Sequence, residues 1–146
     1  MVYSKYERVV RIIKKHIKYI IMFVMLLIIE IFIGVFMHHG FIRDYGGDVL
    51  IIPLLYTFIR MFWVEDNKVT ILYLPLGLFL FGVCIELLQG ANLIDILKIG
   101  RKSVLGVIIG STCDWKDILC YLAGTALILS WNYKSLLNPQ KLRGFL

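Results

Sequence analysis

The sequence predicts an all-α, polytopic integral membrane protein with four transmembrane helices and a short interfacial or re-entrant segment between the third and the fourth. Three observations predict it. Of the 146 residues, 60% are hydrophobic and the mean hydropathy is +0.82, whereas soluble domains are nearer half apolar. The excess is gathered into four runs, each near the ~20 residues that a helix needs to cross the hydrocarbon of a bilayer. The sixteen Lys and Arg collect at the ends of those runs, six of them before residue 19.

Taken in order, the first span is Tyr19 to Met37, interrupted only by Glu30. Before it stand Lys5, Arg8, Arg11, Lys14, Lys15 and Lys18, a basic flank of the kind that stays in the cytoplasm. The run is too long for a signal-peptide core and no small-x-small cleavage site follows, so it reads as a retained helix. The second span runs from about Tyr45 to Val64, the third from Val69 to Leu88 and the fourth from about Asp114 to Tyr133. Pro53 and Pro75 fall within such runs, which membrane helices tolerate. Residues 1–18 are thus expected as a cytoplasmic flank, 19–133 as the transmembrane domain and 134–146 as a cytoplasmic tail. Between the third and fourth spans, Gly90 to Cys113 contains the apolar stretch 103–110. As a helix that stretch covers about 12 Å, too little to cross, so shallow membrane contact is expected there. Gly106 and Gly110 form a G-x-x-x-G spacing within it, a weak sign of helix packing in so short a piece.

Positive charge orients the chain. With the N-terminus inside, eleven Lys and Arg lie on inner flanks, and five (Arg43, Lys98, Arg101, Lys102 and Lys116) lie outside. The bias predicts both termini in the cytoplasm of a cell that carries the protein in its plasma membrane. Aromatic residues fall where such a topology wants them, with Trp63, Tyr73 and Trp131 at the inner interface and Tyr45 and Trp115 at the outer one. The same charge reading argues against a nucleic-acid partner.

This topology gathers polar residues at the outer side. His38, His39, Arg43, Asp44 and Asp48 come from the first connection. Glu86 and Gln89 come from the end of the third span, and Asp95, Asp114 and Asp117 from the last connection. Six of the ten carboxylates lie there. Asp114 and Asp117 have the spacing of an N-cap and third-position pair, and Asp44 and Asp48 flank Gly46-Gly47 at another helix start. Glu86 has no such account. It lies one turn inside the C-terminal end of its helix, where the dipole repels negative charge, and an acid within a span costs roughly 2.5–3.5 kcal/mol. It therefore needs a cationic partner, a bound ion or a proton; Arg43 is the foremost expected partner because its long side chain can grip a carboxylate with two bonds, and His38, Arg101 and Lys102 are the other candidates. Glu30, near the midplane, must also be paired or protonated. Cys84, Cys113 and Cys120 form no C-x-x-C pattern and read as small apolar filler. His38-His39 lack ligand spacing such as H-x-x-x-H, so neither a metal site nor a cofactor is expected.

The stretches Phe41-Ile-Arg-Asp-Tyr-Gly-Gly-Asp48-Val-Leu, Glu86-Leu-Leu-Gln89 and Gly110-Ser-Thr-Cys-Asp114-Trp-Lys-Asp117-Ile-Leu-Cys-Tyr121-Leu-Ala-Gly124 resemble an uncharacterised family of small bacterial membrane proteins, the domain-of-unknown-function family 2809. That family in turn is similar to the VanZ-like proteins, named for a teicoplanin-resistance protein, in which an Asn often stands at the place of Tyr121. The resemblance implies a membrane protein of unknown molecular activity, with a hint of glycopeptide or envelope-stress resistance, and no assigned catalytic residues.

Three functional readings follow. The first is a binding or modulating protein of the cell envelope, in which Arg43, Asp48, Glu86, Gln89, Asp114, Asp117 and Tyr121 line a site for the charged part of a lipid-linked or cell-wall molecule amid membrane lipid. The second is a membrane hydrolase or transferase using the outer carboxylates as acid and base, although no Ser/His/Asp or Cys/His arrangement and no phosphate-cradling Gly-rich loop is present. The third is a structural subunit whose polar cluster only packs helices. Whether a reaction is catalysed, and the oligomeric state, are left open at this stage.

Overall fold

The computed structural model describes residues 2–37, 40, 42–91 and 114–137. Among them are four long helices and no strand. Helix α1 spans Val2–Phe36. A π-helical turn, Ile42–Gly46, leads into α2, Gly47–Phe62. A second, Val69–Tyr73, leads into α3, Leu74–Gly90, and α4 spans Trp115–Leu136. The all-α expectation holds, with shifted boundaries. The basic flank is helical and continuous with the first apolar run, because no Gly or Pro interrupts the chain between Val2 and Ile33. At 1.5 Å per residue α1 is about 52 Å long, so its first turns project beyond the shorter helices. The segment 92–113, with its expected interfacial stretch, lies outside the described residues, as do 138–146.

Two stretches, Val9–Phe36 and Val69–Gly90, are long and apolar enough to cross a membrane. Helix α2 has 16 residues, or about 24 Å, and reaches further only with the π-helical turn before it. The link from α1 turns at Gly40, whose φ of +119° suits glycine alone. Its carbonyl accepts the Arg43 N–H at 2.9 Å. Pro75 stands where the π-helical turn passes into α3, and the Ile71 carbonyl, one turn before it, accepts from Asn132 Nδ2 at 3.3 Å.

Helix α2 lies between α1 and α4, and α3 packs on α4. The α2–α4 approach is set by two residues. Pro53 offers no N–H to the Val49 carbonyl one turn back, and Gly124 of α4 presses against that carbonyl so closely that a Cβ there would collide with it and with Pro53. Thr57 adds bonds from its Oγ1 to the Pro53 and Leu54 carbonyls, each 2.9 Å. On the other side of α4, a Cβ at Gly82 would stand 2.9 Å from the Tyr121 ring, so α3 and α4 touch through that pair.

The distribution of polarity is inverted relative to a soluble bundle. Arg60, Glu86, Thr57, Thr70, Thr125 and Asn132 are buried, while Ile21, Met25, Ile28, Phe32, Leu80, Phe81, Leu122 and Leu127 are exposed. Ile52, Tyr56, Leu78 and Ile128 form the centre of the small apolar core.

Candidate functional site

Each of the four helices delivers one carboxyl to the same end of the bundle. Glu86 of α3 is only 1% exposed. Its Oε1 accepts from the Tyr121 hydroxyl and its Oε2 from the Asp114 backbone N–H, both at 3.2 Å. Asp117, four residues before Tyr121 on α4, lies near enough to Glu86 and Asp48 for the three carboxyls to act on one another. Asp48 is in the first turn of α2. Glu30 of α1 completes the set: its Oε2 abuts Gly47, where a Cβ would lie at 3.2 Å, and its Oε1 is buried with no hydrogen-bond partner.

Local sequence explains the convergence. Asp114, Asp117, Tyr121 and Gly124 are spaced three, four and three residues apart, which places them on one face of a helix. Gly82 and Glu86 are one turn apart on α3. Because Gly82 admits the Tyr121 ring, the tyrosine hydroxyl arrives at Glu86. Asp114 precedes the first residue of α4 and its Oδ1 accepts the Lys116 N–H at 3.0 Å, a capping bond. The N–H of Asp117 goes to the Asp114 carbonyl, also at 3.0 Å. Capping therefore accounts for the Asp114 side chain. The Asp117 side chain turns instead to the other carboxyls.

Chemically, ionised carboxylates only accept hydrogen bonds, so neighbouring carboxyls need donors or cations between them. Among the described residues, the donors to Glu86 are one phenol and one backbone N–H. Among the described residues no ion pair reaches the cluster; the two that form are at the opposite end. The expected Glu86–Arg43 pair is one of the differences. Arg43 is exposed on the π-helical turn, and Tyr121 and the α4 N-terminus take the places at Glu86 that a guanidinium was expected to fill. Lys116, the nearest basic residue on α4, lies over the Tyr45 ring at 5.8 Å. Gln89 is half-buried one turn beyond Glu86. His38, Arg101 and Lys102, the other candidate partners of Glu86, lie outside the described residues, as do His39, Asp95 and the side chain of Asp44. No group of three or more His, Cys, Asp or Glu among the described residues is placed to hold a metal ion.

A second polar centre lies at the other end of the bundle, of which sequence reasoning counted only Arg60 and Lys15 as charges, both as flanking ones. Arg60, with no exposed surface, donates to the Trp63 carbonyl at 3.0 Å, the Glu65 carbonyl at 2.5 Å, the Tyr19 hydroxyl at 2.8 Å and Asp66 Oδ1 at 2.6 Å. Lys15 reaches Asp66 Oδ2 at 2.7 Å, and His16 Nδ1 is 2.7 Å from the Met61 carbonyl. The turn is closed by reciprocal bonds between Asn67 and Thr70. Asn132 of α4 donates to the Tyr56 hydroxyl at 2.9 Å. The signal available in the sequence was an Arg inside an apolar run with an Asp six residues later.

Over residues 37–125 the chain matches a family model described as protein of unknown function, DUF2809. The match contains Asp48, Glu86, Asp117, Tyr121 and Gly124 and excludes Glu30. No curated protein and no solved structure matches the chain.

Proposed function

The chain belongs to the DUF2809 family of proteins of unknown function, and from the geometry above we propose that it is a multi-pass membrane protein of four spans whose carboxyl cluster binds a cationic group of a lipid-linked or cell-wall molecule. The observation that carries the reading is the meeting of Asp48, Asp117 and Glu86, with Glu30 beside them, where no Lys or Arg among the described residues pairs with them. Charges of one sign gathered in a low-dielectric setting need protons or a counter-cation. An ammonium group brings one positive charge and three donors, which complements a site made almost wholly of acceptors.

The membrane setting is supported by the ring of exposed apolar side chains and by the two stretches long and apolar enough to cross. The excess of Lys and Arg at the end that carries Arg60 and Lys15 supports termini in the cytoplasm, which turns the carboxyl cluster outward. An outward site suits a role at the plasma membrane in envelope stress or glycopeptide resistance, as the VanZ-like resemblance implies.

The test uses purified protein in lipid nanodiscs, titrated calorimetrically with an amine-bearing muropeptide and with its N-acetylated form. Binding of the free amine alone, lost in Glu86→Gln and Asp117→Asn variants that still accumulate and insert, is the expected result. Equal behaviour of the two muropeptides, or variants that fail to accumulate, would reduce the cluster to helix packing.

A further inference from the structure

A groove of about 310 Å³ runs between α1, α2 and α4, and none of the clustered carboxyls lines it. Met22, Met25 and Ile29 line it from α1, Leu50 and Pro53 from α2, and Leu127 from α4. The hydroxyls at its walls are already engaged within the protein. Thr57 is bonded to its own helix, the Tyr19 hydroxyl to Arg60 and the Tyr56 hydroxyl to Asn132. Whatever fills the groove must therefore be hydrocarbon there. A single flexible chain fits against its two adaptable methionines.

The charge at one end of the groove specifies the occupant further. Arg11, Lys15, Lys18, Met22, Met25 and Ile29 recur at alternating spacings of four and three, so they form one stripe along α1. Within one turn that stripe changes from basic to apolar. Lys15 is committed to Asp66, but Arg11 and Lys18 are exposed and make no ion pair among the described residues. Lys18 Nζ stands 5.0 Å from the centre of the Trp131 ring, and Trp131 itself lines the groove. Tryptophan favours the head-group level of a membrane.

We propose that this groove is a binding site for an anionic phospholipid, with an acyl chain along Met22, Met25 and Leu127 and its phosphate head group on Lys18 beside Trp131. The site rests on the membrane reading above but is separate from the carboxyl cluster. It selects anionic over zwitterionic lipid because the head group meets unpaired basic side chains.

Trp131 supplies the probe. Protein carrying Trp63→Phe and Trp115→Phe is reconstituted into phosphatidylcholine vesicles doped with a minor fraction of chain-brominated phosphatidylglycerol or chain-brominated phosphatidylcholine. Preferential quenching by the phosphatidylglycerol is expected. Lys18→Gln, an exposed change that leaves the fold intact by circular dichroism, should lower that preference about fivefold. Leu127→Phe should weaken quenching by narrowing the groove. Equal quenching by the two lipids, or a preference that either variant leaves unchanged, overturns the site while sparing the membrane reading. Absence of quenching by both lipids overturns both.

Discussion

Replacing Arg60 by Met removes four hydrogen bonds at once from the turn between α2 and α3. The side chain has no exposed surface and joins Tyr19 of α1, two backbone carbonyls and Asp66. Breaking a buried ion pair by deleting one partner costs about 3–5 kcal/mol, because the other charge stays buried and uncompensated. Here Asp66 keeps Lys15, which is partly exposed, so the cost belongs near the lower end, about 3 kcal/mol. The assay is unfolding of the purified protein in mixed micelles by added sodium dodecyl sulfate, followed by circular dichroism. Asp66→Asn alone leaves Arg60 without its carboxylate and should also destabilise. The double variant Arg60→Met/Asp66→Asn should lose less than the two single losses added together, since it strands no charge. A single variant with the unfolding midpoint of the parent, or strictly additive losses, would refute the view that this buried charge locks α1 onto the α2–α3 turn.

Three further outcomes follow from the same contacts. Gly124→Ala places a methyl group against the Val49 carbonyl and Pro53 and should cost about 1–3 kcal/mol in the same unfolding assay; a neutral result would mean that α2 and α4 are not in contact there. Tyr121→Phe removes the hydroxyl bonded to buried Glu86 and should cost about 1.5–3 kcal/mol, but far less in a Glu86→Leu background, which unfolding of the four proteins of the cycle would reveal. Glu30→Gln removes a charge from a side chain with an unpartnered buried oxygen and should unfold no earlier than the parent; clear destabilisation would point to a partner at Glu30.

The helices were legible because length and apolarity decide them, whereas the spacing of Asp117, Tyr121 and Gly124, which sets them on one helix face, went unread in the sequence. The isolation of Glu86 was legible too, from its depth and its place near a helix C-terminus. Its partner was not. Nothing local tells that Gly82 opens a space for the Tyr121 ring, so a phenol from another helix took the place expected for Arg43. Glu30 was recognised as costly in the first span, but its approach to Gly47 depends on how α1 packs against α2. Arg60 was hidden for a related reason. Its charge fitted the inner flank, and only the return of the chain after Phe62 brings Asp66 and two carbonyls around it.

The most direct test of the outward carboxyl site is a cross-link. In a chain with Cys84, Cys113 and Cys120 replaced by Ser, Asp48→Cys and Asp117→Cys are introduced together and oxidised in intact cells. The nearness of these two side chains and the charge-based orientation predict a disulfide joining α2 to α4, reversed by a membrane-impermeant reductant added outside. No cross-link, or one that an impermeant reductant reaches only from the cytoplasmic side of inverted vesicles, would contradict the account.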